Sequence, residues 1–282
     1  MKSLLMRNPV IIGIFWIGIY LVIILLPLLI LLFYPPSSNA GRGYWLEFSV
    51  ALGFIGLAMM AMQFALTARI KRIEASYGVD LILQFHRYTS VFAFFLILAH
   101  PLILFVDNPQ TLQLLNFFQA PWRARAAVIA TLALVALVIT SIWRKRLNIP
   151  YEPWRLAHGI LAAIAVGFGL GHALGVSNYL GLFWKQIIWI GMAAAALWLL
   201  LYVRLLKPLF MLKKPYLVET VIPQRGDVWN LVLRPRSHEG LNFQPGQFAW
   251  ITLQISPFRM REHPFLIASS ATHPERLEFG IK

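Results

Sequence analysis

Six long apolar runs occupy most of the first two thirds of the chain, at residues 10–33, 45–68, 83–106, 126–143, 154–175 and 184–206. Each approaches the roughly 20 residues that cross a bilayer as a helix, the fourth being the shortest. The pattern therefore predicts six transmembrane helices. Lys2 and Arg7 precede the first run, as in a signal peptide. That run is longer than a signal peptide's apolar core of roughly 7–15 residues and no A-x-A-like site follows it, so it is expected to stay as a helix.

After residue 206 the pattern changes. "KPLFMLKKP" (207–215) is basic, bounded by prolines, and reads as a linker. From 216 onward come short β-branched and aromatic runs, "YLVETVI", "VWNLVL", "FAWITLQI", "FLIAS" and "LEFGI", separated by "PQRGD", "PRSHEG" and "QPGQ". Short strands with such turn chemistry between them predict an antiparallel sheet or barrel. The expected fold is an all-α six-helix transmembrane bundle (1–206), a linker (207–215) and a partial antiparallel β-barrel (216–282). At about 70 residues the last piece is small for an independent core. Its final run reaches Lys282 in mid-strand, as a fragment of a longer protein would.

Composition agrees with a membrane protein: 59% of the 282 residues are hydrophobic and 13% charged, against roughly 25% charged in soluble domains. The net charge of +14 is largely a matter of topology. Of fifteen basic residues up to Arg204, eleven fall on the side of Lys2, Arg69 and Arg144, and four (Arg42, Arg123, Arg125, Lys185) on the other. The positive-inside rule then puts both termini in the cytoplasm. No basic face with interleaved aromatics stands outside the membrane edges, which argues against nucleic acid as a partner. The chain has no cysteine, so disulfides, Cys-ligated iron–sulfur clusters and thiolate metal sites within it are excluded.

The third and fifth runs carry the candidate chemistry. "QFHRYTSVFAFFLILAHP" (84–101) holds His86 and His100, and "WRLAHGILAAIAVGFGLGHALG" (154–175) holds His158 and His172. Both spacings are fourteen residues, which in a helix separates the imidazoles by about 21 Å along the axis and leaves them about 40° apart around it. The two runs are separated by one span and so point the same way. His86 is then level with His158 near the cytoplasm, and His100 with His172 near the far side. Intramembrane histidines are functional candidates by default, and two pairs at two depths fit bis-imidazole ligation of two heme irons. Proton or ion transport is the rival reading, although the cores of spans three to six carry no carboxylate.

Around these histidines, "GFGLG" (167–171) lies inside an apolar span with no preceding strand, so it is no phosphate loop. Its small residues suit either the approach of a flat macrocycle or close helix packing. Arg87, Arg155, Arg42 and Arg123 stand near the levels where propionates would lie; for Arg87 and Arg155 an interfacial, snorkelling role is equally open. Phe92, Phe94, Phe95 and Phe168 read as packing or lipid-facing residues in preference to electron relays.

With "PGQF" and "HPF" following paired histidines on spans three and five, the chain resembles the ferric reductase and NADPH oxidase superfamily. The resemblance implies a ferric reductase-like transmembrane domain with one b-type heme on His86 and His158 and another on His100 and His172. It also implies a barrel of the ferredoxin–NADP reductase type that binds FAD in the cytoplasm, NAD(P)H as donor, and oxygen or a ferric chelate as acceptor. "QPGQFAWI" (244–251) resembles the family's strand before the flavin, and "EHPFLIASS" (262–270) its flavin motif. His263, Pro264 and Phe265 carry over as flavin contacts. "GRGYWLEF" resembles the entry to span two, which assigns Arg42 a catalytic place near the outer heme. A bacterial plasma membrane is the implied location.

Two departures stand out. After "HPF" the family commonly has Ser or Thr, whose hydroxyl can bond the flavin ring; here it is Leu266, and only Ser269 and Ser270 follow. The family's nicotinamide-binding domain would lie beyond Lys282, and no Gly-x-Gly-x-x-Gly stands in the soluble part. A further alternative is a heme-bearing membrane subunit serving a separate partner, as in quinol-linked methionine sulfoxide reductase systems; the covalently continuous barrel argues against it.

Overall fold

The computed structural model describes residues 9–35, 42–176, 178–252, 256–259 and 262–282. Lys2 and Arg7 lie outside the described residues. The chain divides into two compact units, Met1–Leu200 and Leu201–Lys282.

The first unit is helical: α1 (Pro9–Phe33), α2 (Tyr44–Thr67), a short α3 (Lys71–Tyr77), α4 (Val79–Asp107), α5 (Trp122–Ile142), α6 (Tyr151–Val176) and α7 (Phe183–Leu201). Among the described residues six helices are long and apolar enough to cross a membrane, the last running Phe183–Leu212, as the apolar pattern predicts. The α4 helix begins at Val79, four residues before the predicted run, because Gly78 (φ 75°) breaks the chain between α3 and α4 in the left-handed region. Pro121 supplies the extended residue before α5, which starts at Trp122. The first turn, Trp122–Arg125, interrupts the hydropathy but not the helix, since arginine is a good helix former.

Two helix pairs make the bundle: α2 packs along α4, and α5 along α6. The α2–α4 register follows from three contacts. Ser49 meets His100, Gly56 lies against Ala93 and Ile97, and Gln63 bonds Thr89. Nearly half of the central window of α2 is buried, more than in any other span. Ala58, Met59, Met60 and Ala61 of α2 join Ala93 and Ala165 in one core. Outward-facing apolar residues such as Val106 (83% exposed) make a surface suited to lipid. At the α7 start, Lys185 is buried to 3% exposure and donates to the Tyr34 carbonyl at 2.6 Å, just past the end of α1. A cation there meets the negative end of the helix dipole.

The second unit begins with a π-helical turn, Tyr202–Leu206, followed by α8 (Lys207–Leu212). Residues 207–212, expected as linker, are therefore helical. Pro208 explains both features. Proline is tolerated in a helix's first turn, but its ring opposes the carbonyl four residues back, and the wider π turn relieves that conflict. Five strands follow: β1 (Tyr216–Pro223), β2 (Trp229–Pro235), β3 (Phe248–Ile251), β4 (His263–Leu266) and β5 (Leu277–Ile281). They form an antiparallel β1-β2-β5 sheet and a separate antiparallel β3-β4 pair. Leu231, Leu233, Phe243, Ile267, Leu277 and Phe279 make their own small core.

Close packing between α5 and α6 yields a test. A Cβ on Gly175 would stand 2.5 Å from the Trp122 ring and 2.9 Å from Arg123 Cβ, whereas Gly191 has nothing within 4 Å. Gly175→Ala should lower the thermal stability of the detergent-solubilised protein by about 1–3 kcal/mol through overpacking. Gly191→Ala, scanned beside it, should leave the transition in place.

Candidate functional site

The four predicted histidines meet in two pairs. The ring centres of His86 (α4) and His158 (α6) are 6.4 Å apart, and those of His100 (α4) and His172 (α6) 6.3 Å apart. The two levels are about 21 Å apart along either helix, from the rise of 1.5 Å per residue. Ala93 and Ala165 sit midway between the two histidines of their respective helices, and both are buried. Their small side chains let the intervening level close. There Leu57 of α2 touches Gly169, and Gly56 lies against the Ala93 carbonyl.

What lies behind each ring decides which nitrogen faces its partner. His100 Nδ1 is 3.0 Å from the Ser49 carbonyl of α2, and His172 Nδ1 is 3.0 Å from the Arg123 carbonyl of α5. A carbonyl only accepts, so in both rings Nδ1 carries the proton and Nε2 keeps its lone pair. His158 Nδ1 lies 3.1 Å from Ser141 Oγ of α5. His86 Nδ1 is buried without a hydrogen-bond partner among the described residues. Gly53 floors the outer level, since a Cβ there would reach 3.2 Å from the His100 ring.

These residues fit a metal held between trans imidazoles. With metal–nitrogen bonds of ~2 Å and each ring centre about 1 Å behind its nitrogen, two such rings are centred about 6 Å apart. A ligand imidazole typically donates its other N–H to a carbonyl or similar acceptor, as three of the four have the means to do here. Among the described residues no group of three His, Cys, Asp or Glu forms a metal site made by protein alone. The histidines come in twos, which suits an ion whose remaining ligands belong to a macrocycle.

The surrounding residues sort as follows. Gly169 serves helix packing against Leu57, while Gly167 has nothing within 4 Å. Phe92, Phe95 and Phe168 are exposed and Phe94 packs against the core. Arg87 is exposed, and Arg155 is half-buried. Arg123 contributes its backbone to His172. At the outer end the Arg42 guanidinium lies 5.4 Å from the Tyr179 ring centre, and the Tyr179 hydroxyl donates to Glu47 at 3.0 Å. Burial raises the Tyr179 phenol above its usual range, which keeps it a donor.

At the inner end the structure adds residues that the sequence pattern does not single out. Trp154 lies 5.2 Å from the His158 ring and its Nε1 is buried without a hydrogen-bond partner among the described residues. Arg144 stacks over Tyr151 and Trp154 at 5.6 and 5.7 Å. A periodic Trp one turn before His158 was a signal available in the sequence. Ser141 was not, being one hydroxyl among many.

In the second unit the two motif strings are neighbours. Strand β3 of "PGQF" pairs with β4 of "HPF", placing Ala249 opposite Phe265, Trp250 opposite Pro264 and Ile251 opposite His263. His263, Pro264 and Leu266 are exposed, and Phe265 packs toward the small core. Ser270 Oγ is engaged with Thr272 at 2.8 Å, whereas Ser269 Oγ is buried with no hydrogen-bond partner among the described residues.

Comparison with known proteins addresses the helical unit. A protein of Archaeoglobus fulgidus, described as an uncharacterized protein, is 29% identical over 120 residues, or 40% of this chain. The chain spans 65% of that relative's length. Residues 52–169, less than half of the chain, match the family model for the ferric reductase like transmembrane component. The match contains His86, His100 and His158 and stops just short of His172. This chain is thus a multi-pass integral membrane protein whose spans from α2 to α6 resemble, by sequence, the ferric reductase like transmembrane component.

Proposed function

We propose that the chain is a transmembrane oxidoreductase that carries electrons from cytoplasmic NAD(P)H, through FAD and two b-type hemes, to oxygen or a ferric chelate on the far side. One observation supports this above the rest. Two imidazole pairs stand at two depths of one bundle, each at the separation that trans ligation of one iron requires. When bound, flavin supplies the change from hydride acceptance to single-electron release, and heme iron supplies one-electron relay.

The chain's own residues hold, orient and insulate. His86 and His158 would hold the inner iron, and His100 and His172 the outer one. The Ser49 and Arg123 carbonyls keep the outer Nε2 atoms pointed inward, while the alanines and α2 exclude water between the levels. His100 and His172 would both be engaged in holding the outer group, and Arg42 offers a positive charge at this outer end, where the acceptor would arrive. Trp154 Nε1 supplies a buried donor at the inner level. In the second unit, His263, Pro264 and Phe265 would face the flavin, and Ser269 offers the hydroxyl that Leu266 lacks. Both termini would be cytoplasmic, in accord with the distribution of Lys and Arg, and the bacterial plasma membrane is the location the family resemblance implies.

Two variants and a spectrum test the reading. Purified protein should bind two b-type hemes per chain, and His100→Ala or His172→Ala should each reduce this to one while the inner heme persists. A colourless, monodisperse wild-type protein would overturn the assignment and return the histidines to proton transport. The flavin end is tested apart from this. Ser269→Ala should lower bound FAD several-fold at equal heme content, whereas Ser270→Ala, whose hydroxyl is already engaged by Thr272, should retain it; equal retention in both would remove Ser269 from the site.

A further inference from the structure

The two histidine levels differ in what stands behind the rings. At the outer level both Nδ1 atoms meet backbone carbonyls, which no side-chain substitution removes. At the inner level His86 Nδ1 is buried without a partner among the described residues, and His158 Nδ1 meets a side chain, the Ser141 hydroxyl.

The hydroxyl's role there follows from counting protons. Ser141 has one O–H, and Oγ lies 2.6 Å from the Leu137 carbonyl, which can only accept. The serine proton is therefore committed to Leu137, as in the common back-bond to the residue four earlier. Toward His158 the same oxygen can offer only a lone pair, so the 3.1 Å contact requires Nδ1–H on the imidazole. That leaves Nε2 unprotonated toward His86. Ser141 lies in the last turn of α5 and His158 in the second turn of α6, so the Trp143–Pro150 connection between these helices holds the two together.

We infer that Ser141 is a positioning residue for the inner iron. Its back-bonded hydroxyl fixes the tautomer of His158 and, by accepting from Nδ1–H, lowers the reduction potential of that iron alone. The inference rests on the heme reading of the histidine pairs. An imidazole whose far N–H is hydrogen-bonded is the more basic ligand. A more basic ligand favours ferric over ferrous iron, and such bonding is one of the protein's means of setting heme potentials. A lower inner potential favours passage of the electron outward. The outer level is set by the fold itself, and the inner level by one mutable side chain.

The test is a redox titration of the purified, heme-loaded full chain in which each heme is followed by its absorbance. The wave lost in His158→Ala identifies the inner heme. In Ser141→Ala that wave should move to higher potential while the outer wave stays in place; each tenfold loss in ferric preference reads as about 59 mV for a one-electron couple. Ser141→Thr, which retains the hydroxyl, should restore the wild-type value, and Ser141→Cys, a poorer acceptor of similar size, should shift it part of the way. Thr140→Ala removes a hydroxyl that bonds only within α5, to Ala136 and Leu137, and should shift neither wave. Selective loss of the inner heme in Ser141→Ala, reversed by Thr, also supports the holding role. Two bound hemes with an unmoved inner wave in both Ser141→Ala and Ser141→Cys would overturn it. A wild-type protein without heme would refute the underlying reading instead.

Discussion

The imidazole N–H bonded from behind is the interaction on which the membrane unit's chemistry depends. A histidine in lipid is costly and free to rotate, and either nitrogen could face its partner. The Ser49 and Arg123 carbonyls remove that freedom at the outer level, and Ser141 does so for His158. Each partner comes from the helix packed along the one that carries the histidine, α2 for α4 and α5 for α6. The packing therefore serves the site directly. Gly56 between α2 and α4, and Gly175 between α5 and α6, bring the backbones near enough for these bonds to form.

This makes α2 and α5, which contribute no histidine, as necessary to the site as α4 and α6. The α2 helix closes the level midway between the pairs, with Gly56 against Ala93 and Leu57 against Gly169. It is also the most enclosed span. Under the proposed function, that closure would keep water out of the level between the two pairs.

Much of this was legible in the sequence for a simple reason. Fourteen residues is nearly four helical turns, so a repeat of that spacing on two helices survives any detail of packing. The six spans were equally plain, because lipid demands length and apolarity and nothing subtler. The β strands were visible from their punctuation. Backbone carbonyls were not legible as partners, because every residue has one and only the register chooses among them. Ser141 was hidden in the same way, as one hydroxyl among many, whereas Trp154, one turn before His158, was open to view. Residues 207–212 carry a linker's marks, lysines and bounding prolines, yet are helical, because the π turn before Pro208 makes room for its ring, which no composition reveals. Hydropathy likewise could not single out α2, whose composition resembles that of its neighbours.

Electron paramagnetic resonance of the oxidised, purified wild-type chain tests the central claim most directly, because it reports axial ligands as well as the presence of iron. The account predicts two low-spin ferric signals per polypeptide, each typical of trans imidazoles and each insensitive to added azide or cyanide. A high-spin signal, a single heme, or a signal that shifts on adding such ligands would mean that at least one pair leaves an iron position open, and would contradict the arrangement described for His86, His158, His100 and His172.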